Sequence, residues 1–215
     1  LFAEAGFKVK CVDADQTIVN KIVRGKMPFL KREIELKLKN YVKMGLLSAT
    51  TDAKTAVSQS DIIAITSPAK IDKKKKTDYS SMENACKQVG LNLHPGSLVI
   101  VMSTVSVGAT EGLIKEVLEN TSGLKVGADF GLAYSPIRIL NGQALENLDH
   151  ERVVAATDKN SLNAASTILG SIVKGEIKKT TDMKTAEAVA LFEAIQQDAN
   201  VALANEFALF CERVG

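Results

Sequence analysis

Four places in this 215-residue chain put polar side chains where a bound molecule could use them. Asp13 follows the run Phe-Lys-Val-Lys-Cys-Val at residues 7–12, which reads as a short strand. A carboxylate at the carboxyl end of the second strand of a dinucleotide-binding βαβ unit accepts hydrogen bonds from the adenosine ribose hydroxyls. The competing reading makes Asp13 a cap for the helix that starts near Asp15. Ser103-Thr104 ends a buried apolar strand, so its hydroxyls face the carboxyl edge of a sheet and can bond a ribose, a substrate or an ordered water. Alternatively, Thr104 caps the helix that follows. Ser67-Pro68 and Tyr134-Ser135-Pro136 also sit at strand ends, where proline stops the strand and fixes the turn; a plain turn is the other account.

Alternating β-rich and amphipathic segments would position these residues. Strands are expected over 8–13, 61–66, 97–103, 129–135, 152–156 and 176–180. Helices are expected over 15–24, 29–44, 53–59, 81–89, 109–120 and 162–172. Ile62-Ile63-Ala64-Ile65 and Leu98-Val99-Ile100-Val101-Met102 are apolar on both faces, as a central parallel strand covered from both sides must be. The alternation predicts an α/β fold with a doubly wound, Rossmann-like, mostly parallel sheet. A first strand and a G-x-G-x-x-G turn should precede Asp13 in such a fold. Neither occurs in the sequence, so the chain is expected to be a fragment that starts after that turn.

The pattern changes at Thr181. From Asp182 to about Arg213 there is no Gly or Pro and Ala is abundant, which predicts one helix with Asp182 able to cap it. At about 1.5 Å per residue it would run on the order of 45 Å, too long for a crossover helix. Residues 1–181 are therefore expected to form the nucleotide-binding domain, and 182–215 to begin a second, helical domain.

Composition narrows the function classes. With 46% hydrophobic and 24% charged residues, the chain reads as an ordinary globular protein. A net charge of +2 gives no electrostatic case for nucleic acid or an anionic membrane. The basic cluster of Lys70 and residues 73–76 lacks aromatics and reads as a solvated loop. No apolar run reaches the roughly 18 residues of a membrane span. The three cysteines, Cys11, Cys86 and Cys211, show no C-x-x-C pairing, which argues for a reducing cytoplasm over disulfides or a metal site. Cys211 in its Phe-x-x-Phe-Cys setting is expected to be a packed apolar thiol.

Taken in order, Val-Asp-Ala-Asp at 12–15, Ser103-Thr104-Val105 with Gly108 and Thr110-Glu111, Ala-Tyr-Ser-Pro-Ile-Arg at 133–138, and Thr-Ala-Glu-Ala-Val-Ala-Leu-Phe at 185–192 running to Ala204-Asn205-Glu206 resemble the UDP-glucose/GDP-mannose dehydrogenase family. The likeness is greatest to its UDP-N-acetylmannosamine and UDP-N-acetylglucosamine branch and covers nearly the whole chain. It implies NAD-dependent oxidation of the C6 alcohol of a UDP-sugar (a UDP-N-acetylhexosamine or UDP-glucose) to the uronic acid, in polysaccharide or surface-glycan biosynthesis. In the family this takes two hydride transfers with a cysteine-bound intermediate between them. The glycine-rich loop that carries the family's cysteine lies beyond Gly215. The resemblance also implies a homodimer built through the central helix.

Residue by residue, the resemblance places Thr104 at the reaction centre and Asp13, Ser67, Thr104 and Asn141 among the cofactor contacts. Arg138 is assigned to the substrate, where a guanidinium suits phosphate. Several family positions differ. The glutamate expected after Ser-Pro is Ile137, and a second, four residues on, is Asn141. The helix motif Glu-x-x-Lys-Leu-x-x-Asn keeps Glu187 and Leu191 but has Ala190 for the lysine and Ala194 for the asparagine. An alanine has neither an ammonium for an oxyanion nor an amide for a water. Two alternatives stay open: a catalytically weakened paralogue that binds NAD and a nucleotide-sugar, and a related β-hydroxyacid dehydrogenase.

Overall fold

The computed structural model describes residues 1–26, 32–72, 74–137, 151–180 and 182–215. Its centre is a five-stranded sheet made of β3 (Ile62–Ile65), β6 (Leu98–Val101), β7 (Gly131–Tyr134), β8 (Arg152–Ala156) and β9 (Ile177–Thr180), in that spatial order. β3, β6 and β7 are parallel, with Ile65 opposite Val101 and Val101 opposite Tyr134. β8 runs antiparallel to β7 and parallel to β9. A separate parallel ribbon joins β1 (Val9–Val12) to β2 (Leu47–Thr50).

Every residue of β6 is buried, as its unbroken apolar sequence demands. Val99 and Val101 face a core shared with Met82, Cys86 and Val89 of α4 (Ser80–Gly90) and with Leu118 of α5 (Lys115–Ser122). Leu98 and Ile100 face the other way, against Leu162, Ala165 and Leu169 of α6 (Lys159–Gly170). Helices on both faces make the sheet doubly wound, as the sequence pattern predicts. Aspartates start two further helices: Asp15 accepts from the Thr17 N–H ahead of α1 (Gln16–Val23), and Asp52 from the Thr55 N–H ahead of α3 (Ala53–Ser58). α2 (Arg32–Lys43) precedes β2.

The long helix α7 (Met183–Val214) forms as expected, capped by Asp182. Its first two turns bury Met183, Ala186, Glu187 and Ala190, the i, i+3, i+4, i+7 spacing of one helical face. Farther along, Phe192, Ile195, Val201, Leu203, Phe207, Phe210 and Val214 are all exposed.

Four local expectations are corrected. β2 was not foreseen: its Leu-Ser-Ala-Thr is short and only half-buried, leaving no clear alternation to read. Lys74, Lys75 and Lys76 are exposed, as a solvated loop requires, but they form the turn of a hairpin between β4 (Lys70–Ile71) and β5 (Thr77–Asp78), with the Asp72 carboxylate accepting from the Lys74 and Lys76 N–H groups at 2.8 Å each. The helix expected over 109–120 begins as a π-helical turn at Thr110–Ile114, with Gly112 at φ −90°, ψ −105°. Cys211 is exposed rather than packed, because the second half of α7 has no covering element among the described residues.

Candidate functional site

The parallel register of β3, β6 and β7 brings their carboxyl ends to one edge of the sheet. The Met102 N–H donates to the Ile65 carbonyl at 2.9 Å, the Ser135 N–H to the Val101 carbonyl at 2.9 Å, and the Ile137 N–H to the Met102 carbonyl at 2.9 Å. These bonds carry the ladder past the strands and bring Ser67, Ser103-Thr104 and Ser135 to the same edge of the sheet. Thr104 is exposed and Ser67 half-buried, while Ser135 is fully buried. The Ser103 and Ser135 hydroxyls are buried without a hydrogen-bond partner, as is that of Thr110. A buried unpaired hydroxyl costs about 1–3 kcal/mol, so such a group at a ligand-binding edge calls for a partner. Ribose hydroxyls and a carboxamide, as in a dinucleotide, are suitable partners by their chemistry.

Asp13 stands directly after β1 in the separate ribbon, half-buried. Its Oδ1 accepts from the Asp15 N–H at 2.8 Å, and it is Asp15, not Asp13, that caps α1. Both the N–H and the hydroxyl of Thr17 hold the Asp15 carboxyl below the usual carboxylate range. The capping account of Asp13 therefore reduces to a turn that leads into the true cap.

Thr104 is not a helix cap either. The residue at the helix entrance is Ala109, which offers no side-chain bond. The free N–H groups there go instead to Glu187 of α7: Gly108 donates to Oε2 at 2.5 Å and Thr110 to Oε1 at 2.8 Å. Glu187 is fully buried. Gly108 has φ +87°, which favours glycine, and a β-carbon there would stand 3.8 Å from Lys184 Cε. From the other side, the Ser106 N–H donates to the Tyr79 hydroxyl at 2.8 Å, and the Ser106 and Thr77 hydroxyls meet at 3.3 Å. Sequence reasoning kept Glu187 as a family match but gave it no task. The available signal was a charged residue on the one α7 face whose spacing assigns it to the core.

The altered family positions have definite surroundings. Ile137 packs against the α6-side core, so an apolar side chain fills the place of the family's first glutamate. Arg152, buried in β8, donates from Nη1 to the Pro136 carbonyl at 3.4 Å and braces the end of β7. Ala190 is 3% exposed; Ala194, Asn205 and Glu206 are exposed. Arg138 and Asn141 lie outside the described residues. Two thiols are raised above their ordinary value: burial lifts that of Cys11, and burial with the nearby Glu83 pushes Cys86 up to about 12. Among the described residues there is no cluster of metal-ligating side chains, and no helix is long and apolar enough to cross a membrane.

Residues 1–173 match the NAD-binding domain of the UDP-glucose/GDP-mannose dehydrogenase family. The UDP-N-acetyl-D-mannosamine dehydrogenase of Pyrococcus horikoshii is 34% identical over all of this chain and 51% of its own length. The solved structure of the UDP-D-ManNAc dehydrogenase from that organism superimposes with a TM-score of 0.90 at 32% identity, covering 100% of this chain and 50% of the other. A ternary complex of the Pseudomonas aeruginosa GDP-mannose dehydrogenase gives a TM-score of 0.89 at 28% identity, over 95% of this chain and 48% of that one. The chain thus spans about half the length of these relatives. A doubly wound sheet that binds its ligand at the carboxyl ends of its strands is the frame of an NAD-binding domain, and the chain belongs to the UDP-glucose/GDP-mannose dehydrogenase family.

Proposed function

We propose that the full-length protein is an NAD-dependent dehydrogenase that oxidises the C6 alcohol of a UDP-sugar to the uronic acid. The observation that carries this reading is the set of Ser67, Ser103-Thr104 and Ser135 at the ends of three adjacent parallel strands, with the Ser103 and Ser135 hydroxyls buried and left to bond a ligand. When bound, NAD supplies the hydride acceptor. The chain's own residues bind and orient. Asp13 uses its second carboxylate oxygen on the adenosine ribose, while Ser67 and Asn141 contact the cofactor. Thr104, exposed on its pinned loop, faces the reacting centre. Arg138 takes the substrate phosphates. The identities of its relatives favour a UDP-N-acetylhexosamine as the sugar, and the resemblance favours a cytoplasmic role in surface-glycan synthesis.

α7 is proposed to open a helical domain at about residue 182 and to pair with a second copy of the chain. Its row of exposed apolar residues, Phe192, Ile195, Phe207 and Phe210 among them, supports this. Titration of NAD and NADP into the full-length protein tests the cofactor assignment. A carboxylate at Asp13 repels a 2′-phosphate, so NAD should bind at least about tenfold more tightly, a difference of about 1.4 kcal/mol. Tighter binding of NADP would overturn the Asp13 assignment. Ile137, half-buried against the core where the family has a glutamate, supports a second reading: a paralogue that binds both ligands and turns over weakly.

A further inference from the structure

We propose that Glu187 is a positioning residue for the reaction centre: its buried carboxylate ties the loop that carries Thr104 to the central helix. This rests on the proposed NAD-linked function. Both carboxylate oxygens are committed to that loop, one to the Gly108 N–H and one to the Thr110 N–H, four and six residues past Thr104. The same loop is held from the α4 side by the Tyr79 hydroxyl on the Ser106 N–H. Val105, just ahead of these ties, and Ala109, between two of them, are buried, whereas Thr104 is left exposed at the sheet edge. A carboxylate accepting from backbone N–H groups makes charge-assisted, directional bonds. A side chain locked in this way holds its neighbour to the tolerance that a site needs.

Alternative caps would not do the same work. A serine or threonine at the Ala109 entrance would satisfy the N–H groups from within the loop and leave α7 independent of it. Supplying the acceptor from α7 makes the loop's position a property of the helix docking. Ala190 lies one turn beyond Glu187 on the same buried face, so the tie registers that face against Thr104.

The experiment uses the full-length protein with Glu187→Gln, which keeps the shape but presents an NH2 to one of two donors. Glu187→Asp, which keeps the charge on a shorter stem, is read if the first variant does not fold. Three quantities are compared with the parent: affinity for NAD, affinity for ADP-ribose, and hydrogen exchange at the Gly108 and Thr110 amides. ADP-ribose retains the end assigned to Asp13 and lacks only the nicotinamide ring, the reacting group that Thr104 is proposed to face. The expected result is at least about a threefold loss of NAD affinity with ADP-ribose affinity unchanged. The two amides should exchange at least about tenfold faster while the β6 amides stay protected. Equal losses for both ligands, or unchanged NAD affinity, would reduce Glu187 to a structural cap and overturn the positioning role. Amide protection that survives the substitution would overturn the tie itself. A parent that binds neither ligand would instead refute the functional reading, and the positioning role with it.

Discussion

Ala190→Lys combined with Ala194→Asn in the full-length protein restores the pair of side chains that the family places on this helix. The structure sets both the cost and the gain. Ala190 is 3% exposed on the face of α7 that docks against the sheet, so a lysine must push its stem into a filled contact. Overpacking of this kind costs about 1–3 kcal/mol. Ala194 is exposed one turn on, and asparagine there costs about 0.5 kcal/mol of helix propensity. Against a total stability of about 5–15 kcal/mol, the variant folds with a Tm lower by about 3–14 °C, at about 2–4 °C per kcal/mol. On the catalytic side, one missing oxyanion-stabilising donor costs on the order of 10²–10³ in rate, and members of one catalytic unit do not add. A lysine constrained by its packing recovers part of that. NADH production from a UDP-sugar should rise at least about tenfold, or about 1.4 kcal/mol of transition-state stabilisation. The assay is NADH absorbance under saturating NAD, with a thermal melt of the same samples. Robust turnover in the parent with no gain in the double variant would refute the reasoning and show that this branch places its charge elsewhere.

Two further predictions concern the frame that holds the site. Burial works against the Asp158 carboxylate, but the Ser161 hydroxyl at 2.6 Å and N–H at 2.9 Å outweigh it and keep its carboxyl below the usual range. A depressed folded-state pKa stabilises fully above the unfolded value of about 3.9 and ceases to as pH falls through the folded value. Asp158→Ala should thus cost about 0.5–2 kcal/mol at pH 7 and clearly less in urea melts near pH 3; an equal loss at both would contradict it. At Gly90, an added β-carbon would lie 1.8 Å from Thr121 Oγ1 and 3.1 Å from the Leu118 carbonyl oxygen. Gly90→Ala should destabilise by up to about 2 kcal/mol net, overpacking of about 1–3 kcal/mol being offset by a helix-propensity gain of about 1 kcal/mol. Adding Thr121→Ala should recover most of the loss, whereas a single variant more stable than the parent would count against the α4–α5 contact.

What could be read in advance was whatever one physical requirement dictates by itself. Two-sided burial of a parallel strand forces an unbroken apolar run, so Leu98–Val101 was legible along with its place in the interior of the sheet. The absence of Gly and Pro likewise announced α7. β2 lay hidden because a short, half-buried strand carries no alternation. The hairpin among the lysines depends on the single Asp72 side chain and not on the composition around it. At the site, the strand-end hydroxyls followed from the fold. The task of Glu187 did not, because its partners are backbone N–H groups 77 and 79 residues away in sequence. Cys211 shows the opposite error: an apolar local setting was read as burial, and burial depends on what packs against the helix.

The most direct test of the central claim is the number of NADH molecules formed per UDP-sugar consumed by the full-length protein. It should be run to completion with UDP-N-acetylmannosamine, UDP-N-acetylglucosamine and UDP-glucose in turn. Oxidation of an alcohol to an acid removes four electrons, so the account predicts two NADH for each molecule of the preferred sugar, with a uronic acid as product. One NADH with an aldehyde or ketone product would contradict it, as would binding of NAD and sugar with no NADH formed.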